Sequence, residues 1–156
     1  MLMTLDARLL SFTNHLNFIF QDQIKSSAAL ETMSTAESIP KVLNSFTEKW
    51  SPRLVAAIND HHVKVAKIDG EFIWHSHPNS DELFYLLAGK LTIELEGLDD
   101  VMMQVGDMFV VPKGIRHRPV AEEATIMMME HESTINTGDE SSSERTVQVK
   151  DARGQS

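Results

Sequence analysis

His75, His77, Glu82 and His117 are the residues of this chain whose types and spacing suit one kind of chemistry, the holding of a transition-metal ion. Side chains two apart on a strand share a face, and their Cα atoms lie about 6.6 Å apart. Two imidazoles leaning together from that distance can reach one ion at roughly 2.0–2.1 Å. "PNS" at 78–80 makes a turn. On the returning strand Glu82 shares a face with Phe84 and Leu86, whereas Asp81 has the opposite parity, so Glu82 is the candidate carboxylate and Asp81 a bystander. The stretch "WHSHPNSDE" alone is equally what exposed polar residues at a strand end would look like. A second segment, "GDMFVVPKGIRH" at 106–117, brings His117 after a Pro112–Gly114 turn. Three neutral imidazoles and one carboxylate suit Mn, Fe, Co, Ni, Cu or Zn, and leave coordination positions for water or substrate.

The elements that must position these groups are short strands. From Ser38 to Trp50 the apolar residues Ile39, Val42, Leu43, Phe46 and Trp50 recur at helical spacing, with Pro40 tolerated in the first turn; this predicts a helix, ended by "SP" at 51–52. Thereafter the period is two. "RLVAAIND", "HHVKVAKIDG", "GEFIWHSH", "DELFYLLAG", "KLTIELEG", "DVMMQVGD", "MFVVPKG", "RHRPVA" and "ATIMMMEHE" are short runs bounded by Gly, Pro, Asn or Asp, which suggests an all-β sandwich or barrel. In "KLTIELEG", Leu91, Ile93 and Leu95 alternate with Thr92, Glu94 and Glu96, giving one dry and one wet face. No internal repeat is present. The expected organisation is an arm over 1–36, helical or disordered, a β-barrel with its leading helix over 37–135, and a polar tail over 136–156 that includes one edge strand at "RTVQV".

Composition excludes several classes. The chain has 156 residues, enough for one domain, and a formal charge of −9, which opposes nucleic-acid binding. Cysteine is absent, removing disulfides, thiolate metal sites and cysteine nucleophiles. The longest apolar runs fall far below the roughly 20 residues that span a bilayer. Asn14, His15 and Asn17 break the N-terminal apolar run and Asp6 precedes it, against a signal peptide, so a cytoplasmic location is expected. Met33 stands as a natural beginning, and the first 32 residues are expected to be dispensable for the core function.

Together the two histidine segments resemble the two motifs of the cupin superfamily. Gly70, His75, His77, Glu82 and Gly89 follow the first motif, with four residues between Gly70 and His75 where five is usual. Gly106, Pro112, Gly114 and His117 follow the second, with Ala121 where its final Asn would stand. The resemblance covers residues 53 to 132 and extends to small single-domain type-2 cupins, described as mannose-6-phosphate isomerase-like. It implies an all-β fold, an antiparallel jelly-roll β-barrel, here with an N-terminal helical extension. It also implies a mononuclear centre for one divalent metal (Fe, Mn, Zn or Ni) held by His75, His77, Glu82 and His117. The expected function is then an enzyme of dioxygenase, isomerase or lyase type acting on a small organic molecule. The alternatives are a non-catalytic module that binds a small ligand, and a dimeric scaffold. Such proteins pair through edge strands, so a homodimer is expected, with no nucleic-acid or membrane partner.

The remaining candidates read as structural. His61 and His62 are adjacent and cannot both face one site, and His131 faces either the interior with Met127 and Met129 or solvent. Met102, Met103, Met108 and the run at 126–129 read as core filling around an apolar interior with Phe84, Leu86 and Ile93. Lys113, Arg116 and Arg118 sit on the rim as solvated charge or as a recruiter of anionic substrate.

Overall fold

The dry face of "KLTIELEG" is the second half of a long strand whose first half carries Glu82. The computed structural model describes residues 36–154, so the arm expected over 1–36 and its helical character lie, but for Ala36, outside the described residues. The described chain forms a short helix, α1 (Ile39–Asn44), then strands β1 (Arg53–Ile58), β2 (His61–Glu71), β3 (Glu82–Leu95), β4 (Val101–Met103), β5 (Met108–Val111), β6 (His117–His131) and β7 (Lys150–Asp151). Their order in the sheet is β4-β3-β6-β2-β1-β7, with β5 also on β3. All pairings are antiparallel except β1 with β7. Runs that look like separate strands in the sequence are therefore fused: "DELFYLLAG" and "KLTIELEG" become β3, and "RHRPVA" and "ATIMMMEHE" become β6.

A corner makes the fusion possible. The buried positions of β3 are even in its first half (Glu82, Phe84, Leu86) and odd in its second (Leu91, Ile93, Leu95). β6 makes the converse switch, from His117, Pro119 and Ala121 to Ala124, Ile126 and Glu130. Register shifts at Leu86/Ala88, Ala88/Lys90 and Ile68/Gly70 mark where the ladders change phase. Each extra residue bends its strand and turns the side-chain alternation over. The strands thus fold around one apolar cluster to which both halves of β3 and β6 contribute, with Ala66, Ile68, Met103 and Val111. Phe84, Leu86 and Ile93 are essentially inaccessible, each contributing roughly 1.5–3 kcal/mol of transfer free energy.

Gly89 lies at the corner with φ +79°, and the space its missing side chain leaves is filled by backbone: a Cβ there would sit 2.4 Å from Glu123 O and 2.6 Å from Ala124 Cα. Glu123 is itself in the left-handed region, φ 42°, held by its N–H donating to Asp69 Oδ1 at 2.9 Å.

The leading helix is shorter than its apolar spacing suggests. It starts at Ser38, whose Oγ accepts from Lys41 N–H, and stops at Ser45, whose N–H and hydroxyl both turn back to Val42 O. Beyond it the chain runs alongside β2: Lys67 Nζ donates to Phe46 O, Trp50 N–H to Lys67 O and Trp50 Nε1–H to Asp69 O. Phe46 and Trp50 are packed as the apolar stripe requires, but in non-helical chain, where β2 offers partners that a further helical turn would forgo. Val42 and Phe46 form a second apolar cluster with Val55, Val65 and Ala152.

The polar segment after Thr134 is built into the body. Thr137 is fully buried, and the pairing strand is Lys150–Asp151, immediately after the expected "RTVQV". Of the methionines read as core filling, Met103 is buried, whereas Met102 and Met108 are exposed on β4 and β5. Among the described residues no helix is long and apolar enough to cross a membrane.

The corner yields a paired test. Gly89→Ala meets backbone atoms on the neighbouring strand and is expected to lower stability by about 3 kcal/mol. Gly97→Ala has a similar φ, +73°, but open space around it, and is expected to cost about 1 kcal/mol. Urea midpoints at unchanged m-value measure both; equal losses would mean that the close approach at the corner carries no weight.

Candidate metal centre

His75 and His117 come together through backbone. They form an isolated antiparallel bridge, His75 N–H donating to His117 O at 3.0 Å and His117 N–H to His75 O at 2.9 Å. His75 and His77 do not lie on a regular strand, as their spacing alone suggests. Residues 72–81 are irregular, tied through backbone hydrogen bonds to the 112–120 segment at Phe72, His75 and His77, the last through Gly114 N–H donating to His77 O. Pro78 has no N–H to extend a ladder, and the chain turns there. The i, i+2 spacing still places the two rings together, with centroids 4.9 Å apart; His75 and His117 are 4.4 Å apart.

Glu82 arrives as the first residue of β3, with the parity of Phe84 and Leu86, so its carboxylate enters the same space. One ligand atom from each of His75, His77, Glu82 and His117 lies within 4.8 Å of the others, and all four residues are buried. Donors around one ion at roughly 2.0–2.2 Å are about 3–4 Å apart, so little contraction is needed. Asp81 stays outside: its Oδ1 accepts Lys113 N–H at 2.8 Å, which fastens the second motif's turn to the first.

The imidazole hydrogen bonds select the ligand nitrogen. His75 Nδ1 lies 3.0 Å from Ile73 O and His117 Nδ1 lies 3.0 Å from Ile115 O, so each Nδ1–H donates to a carbonyl two residues earlier. In the neutral ring this leaves the Nε2 lone pair facing inward, the arrangement that metal-binding histidines adopt. His117 Nε2 is 3.1 Å from Glu82 Oε2. His77 Nε2 is 3.2 Å from the same oxygen, yet it is out of line for a hydrogen bond and remains a buried atom without a partner. These donors fit a metal ion.

Electrostatics agree. Burial, with the neighbouring His117, pushes His75 down to about 4, so it is neutral at pH 7. Burial also opposes charge on His77, but Glu82 outweighs it and leaves His77 raised. Burial would raise Glu82, and the histidines His117 and His77 overcome it, holding the carboxyl far below its ordinary range.

A second segment clamps the loop from outside. Asp139 accepts Ser76 N–H at 2.7 Å and the Ser76 hydroxyl at 3.0 Å, while Asp139 N–H donates back to Ser76 O. Gly138 permits this approach: a Cβ would lie 2.0 Å from Ser76 O. Arg116 pairs with Glu96, Asp139 and Glu140, and Arg118 with Glu71 and Glu94, so both rim arginines are engaged with the protein's own acids.

Beside the centre lies a small, mostly apolar chamber, partly open to solvent, with a cavity volume of about 40 Å³. Trp50, Phe72, Phe84, Ile126 and Met128 line it, together with His75, Glu82 and Glu130. Trp50 holds φ 57°, and its ring stacks on Phe72 at 4.9 Å. The inward residues of β6 are therefore Ile126, Met128 and Glu130, not Met127, Met129 and His131; His131 is partly exposed and its Nδ1 pairs with the Ser133 hydroxyl. Sequence reading missed Glu130 and its partner Lys64, whose Nζ donates to Glu130 Oε1 at 2.6 Å, both side chains being almost wholly buried. Burial and the nearby Glu82 charge push Glu130 up to about 7 against the pull of Lys64. The alternation Ile126-Met128-Glu130 was the available signal, obscured by the phase switch at Glu123.

Residues 61–131 match the cupin domain family. Over 100 residues the chain is 34% identical to the uncharacterized protein YdbB of Bacillus subtilis, covering 64% of this chain and 88% of that one. It is 31% identical over 87 residues to 3-hydroxyanthranilate 3,4-dioxygenase 2 of Aspergillus fumigatus, covering 52% of this chain and 45% of that relative, and so spans less than half its length. A solved cupin-2 domain containing protein from Shewanella frigidimarina superposes with a TM-score of 0.57 at 36% identity, covering 61% of this chain and 92% of that one. Carrying the two histidine segments at one buried point of such a sheet, the chain belongs to the cupin superfamily, among the small cupin-2 proteins.

Proposed function

We propose that this cupin is a mononuclear metal enzyme acting on a small, partly apolar organic molecule, with His75, His77, Glu82 and His117 as the ligands. The observation that carries the reading is the contact of His117 Nε2 with Glu82 Oε2 at 3.1 Å while His117 Nδ1–H is committed to Ile115 O. Two acceptors face one another there, and a cation between them relieves the repulsion. A proton satisfies one such contact; a divalent ion satisfies all four donors, including the unpartnered His77 Nε2. A bound ion of this kind supplies Lewis-acid polarisation or activation of dioxygen. The chain's own contribution is to hold the ligands in the correct tautomer, to keep bulk water from the centre with Phe72 and Phe84, and to receive the body of the substrate on Trp50, Ile126 and Met128.

Among reaction classes, dioxygenation is supported by the similarity to the Aspergillus fumigatus dioxygenase. The same four donors also accept manganese, zinc or nickel, with which isomerase or lyase chemistry is the alternative outcome. Protein purified without added metal is expected to contain about one equivalent of transition metal by elemental analysis. The iron-loaded form is expected to consume dioxygen with a member of a panel of small aromatic acids and phenols. Saturable binding with no product from any member would instead identify a ligand-binding module. Metal content that survived the His75→Ala/His117→Ala double substitution would remove the ligand assignment.

The pH dependence has a defined sign. The folded state holds His75 near 4 and the unfolded chain returns it to about 6.5, so between these values the unfolded state binds more protons. Metal-free protein is thus expected to lose stability, by at most about 3 kcal/mol from this group, as pH falls from 6.5 to 4. Metal occupancy falls in the same direction, because protons compete for the imidazoles. Urea titrations of metal-free protein at pH 7 and 4.5 check the first; retention of full metal content at pH 4.5 would contradict the second.

A further inference from the structure

Lys64 and Glu130 form a buried ion pair at the chamber wall that the four ligands do not need. Lys64 stands on β2 and Glu130 on β6, joined by a 2.6 Å hydrogen bond with side-chain exposures of 1% and 2%. Replacing such a pair by apolar residues of similar size is often neutral or stabilising, so fold stability does not account for it. Only one carboxylate oxygen is used. Glu130 Oε2 is buried and has no hydrogen-bond partner, and Glu130 lines the chamber with Glu82 and His75. Glu130 is also directly opposite Glu82 in the β3–β6 ladder, which places the two backbones about one strand spacing, ~4.8 Å, apart. An acceptor left open one strand from a candidate metal ligand, in a chamber whose other polar lining is His75, Glu82 and Asn136, awaits a donor.

Building on the metal-centre reading above, we infer that Glu130 is the substrate-orienting acceptor of this site, held by Lys64, and that it selects small molecules carrying a hydroxyl or amino group beside their metal-binding oxygen. Lys64 acts as a positioning residue: its single bond to Oε1 fixes the carboxylate plane and leaves Oε2 for the ligand. The aromatic and aliphatic walls from Trp50, Phe84, Ile126 and Met128 suit a planar apolar body between the two polar ends. The ligand class is thus a small ring or short chain with an oxygen at one end and a hydrogen-bond donor next to it. The same molecule with a methyl group in place of the donor leaves Oε2 buried and unsatisfied.

Aminophenols and the corresponding methylphenols are the probes, since an amino and a methyl group have nearly the same size. Binding of 2- and 3-aminophenol and of 2- and 3-methylphenol is measured by calorimetry on the full chain, metal-loaded and metal-free, with metal content measured alongside. At least one aminophenol is expected to bind about tenfold or more tighter than its methyl counterpart, as suits a hydrogen bond to a charged group. In the Lys64→Met/Glu130→Leu double variant, which removes both charges together, that ratio is expected to fall to near one while metal content is retained. Lys64→Met alone is expected to reduce the ratio without abolishing metal binding. Equal affinities within both probe pairs in the unaltered protein, or an undiminished ratio in the double variant, overturns the role of Glu130. Failure to load metal overturns the metal-centre reading alone, because the ratio is still read in the metal-free protein.

Discussion

The centre depends on one pair of backbone hydrogen bonds, those exchanged between His75 and His117. They join two segments forty-two positions apart in the chain, neither of which contributes enough donors by itself. Because each bonded residue is also a candidate ligand, the backbone bridge and the side-chain geometry cannot vary independently. The same local device then repeats on both sides: each ring donates Nδ1–H to the carbonyl two residues earlier, Ile73 or Ile115. Tautomer and ring orientation are thus set by main chain, which is the stiffest support available to a ligand. Gly114 N–H to His77 O, Asp81 to Lys113 N–H and the Asp139 clamp on Ser76 fix the two turns around that bridge.

The sheet supplies the remaining constraint. Glu82 can enter the site only if β3 begins with even residues inward, and Leu91, Ile93 and Leu95 can fill the core only if it ends with odd residues inward. A straight strand satisfies one requirement and exposes the other. The corner at Gly89, with Glu123 opposite it and Gly70 on β2, reconciles them by turning the alternation over while keeping the ladder to β6. The glycine of the first motif is thus a packing requirement as much as a turn, since the backbone of β6 occupies the place of its side chain.

How much of this was legible follows from the range over which sequence patterns act. Within one strand, alternation correctly separates Glu82 from Asp81 and Leu91, Ile93 and Leu95 from their polar neighbours. The two histidine segments announce the family, and the structure brings their four candidate residues to one point. What was not legible lies where tertiary contacts replace local preference. The apolar stripe from Ile39 to Trp50 has helical spacing, but after Ser45 bonds to β2 win over a further helical turn. The HxH spacing implies a strand, but a bridge of two bonds does the work in irregular chain. Lys64 and Glu130 were overlooked for a similar reason. Alternation carried forward from His117 assigns Glu130 to the outer face, and only the phase change at Glu123 brings it inward, where Lys64 from another strand meets it.

The two buried carboxylates also tie the four candidate ligands and the ion pair into one electrostatic unit. Glu82 and Glu130 are cross-strand neighbours, and the charge of Glu82 is one of the causes that raise Glu130 to about 7. Lys64 offsets one negative charge, and without a metal the other falls to the histidines, which is why His77 is drawn upward despite its burial. A divalent ion on the four donors reverses that logic. Bound there, it would neutralise Glu82, remove one cause of the rise at Glu130 and compete with any proton on His77 Nε2. Glu130 would then be held further toward the carboxylate beside Lys64. The ion would thus strengthen an acceptor that Lys64 already positions without it.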